Sequence, residues 1–109
     1  MSNDVMQALY NTIVSRKETK PEGSYTAYLF EKGLDKILKK CGEECSEVII
    51  AAKNADNGET VLELSDLLYH LTVLMVNQGI PLEDVMAELD KRSEKSGNLK
   101  TFHVVDKNS

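Results

Sequence analysis

Long apolar runs are missing from this 109-residue chain. The longest, Val48 to Ala52, falls far short of the ~20 residues that a membrane-spanning helix requires. No membrane association is therefore expected. Basic charge is also scarce: thirteen Lys and Arg stand against eighteen Asp and Glu, a formal charge of −5. That balance argues against the phosphate backbone of DNA or RNA as partner. Small phosphorylated ligands survive the test, because a cation held by carboxylates reverses the local field. There are two cysteines only, Cys41 and Cys45, too few and too close for a disulfide framework or a complete zinc site. At i, i+4 they share one helix face and are expected to pack as small apolar residues. The stretch Met1-Ser2-Asn3-Asp4 has an acid where a secretory signal carries bases, and no apolar block follows. The expected location is the cytoplasm.

What is present is ordinary globular chain, 41% hydrophobic and 28% charged. Its length suits one domain over 1–109, with a core over about 5–97 and a tail at 98–109. Helix-breaking signals are sparse: Pro21-Glu22-Gly23, Asn57-Gly58, Gly79-Ile80-Pro81 and the segment after Gly97. Between them apolar residues recur at helical spacing. Val5, Leu9 and Ile13 place a first helix ending near Glu18. Ser24 is the expected N-cap of a short helix to about Lys32. A long helix runs from Leu34 to about Asn54, and another from Glu59 to Asn77, closed by Gly79. Pro81 opens a last helix to about Ser96. The tail alternates weakly around Phe102, Val104 and Val105. The expected fold class is all-α, an antiparallel helical bundle.

The two middle helices carry most of the information. In the first, Leu34, Ile37, Leu38, Cys41, Cys45, Val48, Ile49 and Ala52 form one apolar stripe, while Lys36, Lys40, Glu43, Glu44 and Glu47 share another face. In the second, Val61, Leu62, Leu64, Leu67, Leu68, Leu71 and the residues from Val73 to Val76 cover most of the circumference. Such a helix is normally covered on several sides, by neighbours or by a partner chain. Yet Glu59, Glu63, Asp66 and His70 line up along it. Acids on an otherwise buried helix require partners, protons or metal.

Glu44-x-x-Glu47 and Glu63-x-x-Asp66 are two carboxylate pairs, each at i, i+3 on its own helix. The Asn57-Gly58 turn between the helices makes them antiparallel neighbours, so the pairs can converge. Four carboxylates around a point suit a hard divalent cation, Mg²⁺ or Mn²⁺. The plain alternative is a set of solvated acids on amphipathic helices, since Glu is a good helix former. A di-iron bundle is set aside, because it needs Glu-x-x-His pairs, whereas Leu67 and Lys100 stand three residues before His70 and His103.

Lys40-Cys-Gly-Glu43-Glu44-Cys-Ser-Glu47, then Val48-Ile-Ile-Ala-Ala-Lys53, then Glu63-Leu-Ser-Asp66-Leu-Leu-Tyr69-His70-Leu resembles the phosphoribosyl-ATP pyrophosphohydrolases of histidine biosynthesis. These belong to the MazG-related all-α NTP pyrophosphohydrolases, whose signature is ExxE, a spacer and ExxD. Gly23-Ser24-Tyr25-Thr26, Leu29, Arg92 and Ser96-Gly97 extend the resemblance over residues 5–100. It implies hydrolysis of phosphoribosyl-ATP to phosphoribosyl-AMP and pyrophosphate, with Mg²⁺, in a homodimer. A cation between triphosphate and acids would neutralise charge and acidify a bound water.

On this reading Glu44, Glu47, Glu63 and Asp66 bind metal. Glu43, Glu44 and Glu47 are the catalytic set, Glu43 as outer ligand or water-orienting base. Lys36, Lys40, Ser24, Thr26 and Arg92 are phosphate contacts, with Lys39 and Lys95 weaker candidates. His70 supports the metal ligands by a hydrogen bond rather than binding metal itself. Two alternatives remain: a MazG-like housekeeping (d)NTP pyrophosphatase with the same metal site, and a non-catalytic helical dimerisation module whose acids only solubilise.

Overall fold

The computed structural model describes residues 2–94, and all of their regular structure is helical. In chain order the helices are α1 (Ser2–Thr19), α2 (Tyr25–Lys32), α3 (Leu34–Lys53), α4 (Asn57–Gln78) and α5 (Leu82–Glu94). The expectations for Lys95, Ser96-Gly97 and the tail at 98–109 lie outside the described residues.

Local chemistry accounts for most of the helix ends. Ser24 caps α2, its hydroxyl accepting from the Ala27 N–H at 3.1 Å. Gly33, at φ 95°, serves both sides of a sharp joint: its N–H closes α2 on the Leu29 carbonyl, and its own carbonyl accepts from Ile37 in α3. A Cβ at that φ would be strained. Gly79 ends α4 in the left-handed conformation, with φ 73°.

Two boundaries differ from the sequence expectation. Asn57 and Gly58 are not the turn between α3 and α4 but the first residues of α4. The turn lies earlier, at Asn54 and Ala55, because the Asp56 carboxylate accepts from the Glu59 N–H at 3.0 Å and so starts the helix. Ala55 makes the reversal at φ 58°. At the other end, Pro81 precedes α5 rather than opening it.

The core joins four helices. Ile13 of α1, Leu29 of α2, Ile37 of α3 and Val73 and Val76 of α4 form one buried cluster, with Leu9, Tyr10, Phe30, Cys41 and Tyr69 packed against it. Each such aliphatic side chain contributes about 1.5–3 kcal/mol on burial. The α3–α4 hairpin has the most extensive packing in the molecule, as its three-residue connection dictates. From α5, Leu82 is buried.

The apolar stripe of α3 is only half used. Ile37 is buried and Cys41 half-buried, but Leu38, Cys45, Ile49 and Ala52 are exposed. The expectation that both cysteines pack in the core therefore fails for Cys45, which lies on the uncovered line of the helix. Burial pushes the Cys41 thiol up from its ordinary pKa. On α4, Val61, Leu62, Leu64 and Leu68 are likewise exposed.

Candidate metal and phosphate site

The α3–α4 hairpin brings three of the four expected metal ligands together. One carboxylate oxygen each from Glu44, Glu63 and Asp66 lie within 4.8 Å of one another. Glu44, on the ionic side of α3, is turned onto α4 and is only 6% exposed. Its Oε1 and the Oε1 of Glu63 are buried with no hydrogen-bond partner. A buried polar atom left in this state costs about 1–3 kcal/mol, more when charged. An oxygen-only, anionic donor set with two unsatisfied oxygens fits a hard divalent cation such as Mg²⁺ or Mn²⁺.

Like charge also marks the cluster. The Glu63 carboxyl is pushed up to about 7, first by hydrogen bonding with Glu59 and then with Glu47, with desolvation and repulsion from the same two acids adding to it. A bound cation would relieve that repulsion. Glu47 is exposed and stands outside the group of three. With Glu59, Glu63, Asn54 and Asp56 it lines a neighbouring cavity of about 180 Å³. Glu59 was seen only as part of the acidic stripe; its i, i+4 spacing to Glu63 was the signal for a closer role.

Among the described residues, an ammonium at the cluster's edge, that of Lys40, is already engaged. Lys40 Nζ lies 3.2 Å from Glu43 Oε1 and 3.9 Å from Glu44 Oε2. The Glu43 bond raises the Lys40 pKa. Lys40 thus balances two acids, and Glu43 is held at the rim by it. Lys36 sits over the Tyr28 ring instead, 5.9 Å from its centroid, and Lys39 is exposed. Arg92, exposed on α5, bonds Glu88 at 3.1 Å. The Ser24 hydroxyl is used as a helix cap, and the Thr26 hydroxyl bonds the Tyr69 hydroxyl across the α2–α4 gap.

His70 is 5% exposed. Its Nδ1 lies 2.8 Å from the main-chain oxygen of Asp66, not from the Asp66 carboxylate. Its Nε2 lies 2.9 Å from the Tyr25 hydroxyl. Both ring nitrogens are thus occupied, which leaves none for a metal. Tyr25 carried no periodic signal in the sequence. It also lines a groove of about 1240 Å³ between α1 and α2, together with Tyr10, Tyr28, Phe30, Lys17 and Lys20.

Comparison with known proteins places this geometry in context. Residues 6–93 match the family model described as phosphoribosyl-ATP pyrophosphohydrolase. The chain is 56% identical over 97 residues to a phosphoribosyl-ATP pyrophosphatase of Clostridium novyi, covering 89% of this chain and 88% of that one. It is 59% identical over 98 residues to the enzyme of that name from Clostridium botulinum strain Hall, covering 90% of this chain and 89% of the relative. It is also 64% identical over 84 residues to the histidine biosynthesis bifunctional protein HisIE of Thermoanaerobacter pseudethanolicus, covering 77% of this chain and 39% of the relative.

Proposed function

The chain belongs to the phosphoribosyl-ATP pyrophosphohydrolase family, and from that premise we propose that it hydrolyses phosphoribosyl-ATP to phosphoribosyl-AMP and pyrophosphate, the second step of histidine biosynthesis. The observation that carries the chemistry is the pair of unpartnered buried oxygens on Glu44 and Glu63 beside Asp66. These three carboxylates would hold Mg²⁺, with Mn²⁺ a substitute, and Glu47 borders them through Glu63. When bound, the cation supplies charge neutralisation for the triphosphate and a water acidified enough to attack.

The chain's own residues divide the remaining work. The acids would repel an uncompensated triphosphate, and a cation held by Glu44, Glu63 and Asp66 would offset that charge. Lys40, anchored on Glu43 and Glu44, stands where it can lend positive charge to a phosphate oxygen without leaving the site. Glu43, part-exposed at the rim, would serve as an outer ligand or as the base that orients the attacking water. The aromatic groove beside Tyr25 offers ring faces for a base and sugar.

We infer a homodimer in the cytoplasm, with no nucleic acid and no membrane as partner. Among the described residues no helix is long and apolar enough to cross a membrane. The exposed stripe of Leu38 and Ile49 on α3, beside Val61, Leu64 and Leu68 on α4, is the surface a second copy would cover.

The test is a turnover assay free of added pyrophosphatase, run with phosphoribosyl-ATP and with common dNTPs side by side. Stoichiometric pyrophosphate from phosphoribosyl-ATP, with the dNTPs poor substrates, is expected. Orthophosphate alone, or preference for a dNTP, overturns the assignment.

A further inference from the structure

The two bonds of His70 fix where its proton sits. The main-chain oxygen of Asp66 can only accept, so Nδ1, 2.8 Å away, carries hydrogen. In the neutral ring Nε2 is then the acceptor, and the Tyr25 hydroxyl at 2.9 Å donates to it. The opposite tautomer would set a lone pair against the Asp66 carbonyl. Packing reinforces the arrangement. The ring is buried and meets Tyr25 and Tyr69 edge-on, at centroid distances of 5.7 and 4.9 Å.

The Asp66 carbonyl belongs to the turn of α4 whose carboxylate meets Glu44 and Glu63. A line of hydrogen bonds therefore runs from the first residue of α2, through the His70 ring, to the backbone of an acid in the cluster. The other hydroxyl bond between these helices, Thr26 to Tyr69, involves neither a cluster acid nor His70. The two bonds clasp the same pair of helices, but only one of them ends on Asp66.

We propose that Tyr25 and His70 are positioning residues for the divalent cation: Tyr25 anchors the His70 ring by donating to Nε2, and the His70 Nδ1–H holds the turn that presents Asp66 to Glu44 and Glu63. The proposal rests on the metal reading above and adds residues that do not themselves touch the cation. Outer partners of this kind tune metal affinity by fixing the direction of a ligand.

The experiment compares wild type, Tyr25→Phe and Tyr69→Phe. Each variant removes one hydroxyl that bonds across the α2–α4 gap. Mg²⁺ affinity is measured by calorimetric titration, and the His70 tautomer of the metal-free proteins by nitrogen-15 NMR of the imidazole ring. Expected are a wild-type ring protonated at Nδ1, Mg²⁺ binding weakened about tenfold in Tyr25→Phe with a shifted Nε2 resonance as its donor is lost, and unchanged affinity in Tyr69→Phe. Metal-free melting of both variants reports the cost of the lost clasp, which a purely structural role would also incur. Wild-type binding that persists unaltered in Tyr25→Phe, or falls equally in both variants, overturns the positioning role alone. A wild-type protein that takes up no Mg²⁺ overturns the metal reading and this proposal together.

Discussion

Glu44 and Glu63 approach each other across the α3–α4 hairpin, each with one buried oxygen that no donor reaches. The fold tolerates this because the hairpin is held by apolar contacts elsewhere, at Ile37, Val73 and Val76. The stability given up at the acids is what a bound cation would return.

The first prediction follows from that exchange. Replacing Glu63 by Gln or Asp66 by Asn keeps the shape and removes charge. Activity should fall by orders of magnitude, and Glu47→Gln, whose carboxylate reaches Glu63, should lose activity as well. Melting without Mg²⁺ should hold or rise, because repulsion is relieved. Adding Mg²⁺ should raise the melting temperature of wild type and do little for Glu63→Gln. Exposed Glu83 in α5, outside both the acid cluster and the aromatic groove, should tolerate the same change to Gln. Near-normal turnover of the Glu63 and Asp66 variants at limiting Mg²⁺ would show that these carboxylates are not the ligands.

A second prediction concerns pH. The Glu63 carboxyl stands at about 7 in the folded chain against an ordinary 4.5. A group raised in this way favours folding when protonated. Its contribution is therefore fully present below about 4.5 and is lost as pH rises through about 7. Metal-free protein should melt at progressively lower temperature between pH 5 and pH 8. Mg²⁺ should counter the decline at pH 8, since the cation takes the proton's place. Thermal scans of wild type and Glu63→Gln across that range check it: the variant should show a flatter profile.

How much of this was legible in the sequence depends on the interaction involved. The helices were, because the apolar spacing within each, as in Val5, Leu9 and Ile13 of α1, is set by the period of the helix itself. The antiparallel hairpin was too, and with it the meeting of Glu44 with Glu63 and Asp66. The turn lies three positions before the expected pair: Asn57-Gly58 is a strong turn signal, but the Asp56 carboxylate outcompetes it by capping α4. Cys45 was misplaced because periodicity identifies an apolar face without saying whether its own chain covers it. The Tyr25–His70 bond spans 45 positions and leaves no local trace. Nor does the engagement of Lys36 with Tyr28 rather than with an acid, since side-chain geometry decided it.

The Asp56 cap yields a third prediction. Asp56→Ala removes the acceptor for the Glu59 N–H and should cost about 1 kcal/mol. In a domain of this size that lowers the melting temperature by about 4–8 °C. The change should be visible by calorimetry at pH 7 with and without Mg²⁺. No loss at all would mean that the turn starts α4 by another route.

The last prediction concerns the apolar face that the single chain leaves open. Ile49 is 65% exposed and Leu38 46%, while Val61, Leu64 and Leu68 on the neighbouring helix are exposed by 61, 43 and 48%. Side chains of this kind gain about 1.5–3 kcal/mol each when fully buried, and a second copy offers the same surface in return. Wild type should therefore sediment as a dimer at micromolar concentration. Ile49→Lys places a charge in the middle of the stripe, far from the core contacts of Ile37 and Val73, and so should spare the fold of the chain while weakening association by more than about tenfold, since a desolvated charge without a partner costs more than the ~1.4 kcal/mol that factor represents. Helical circular dichroism unchanged at high protein concentration, together with a shift from dimer to monomer in sedimentation velocity, is the expected pair of results. A wild-type protein that stays monomeric at micromolar concentration would leave the exposed stripe without the partner inferred for it.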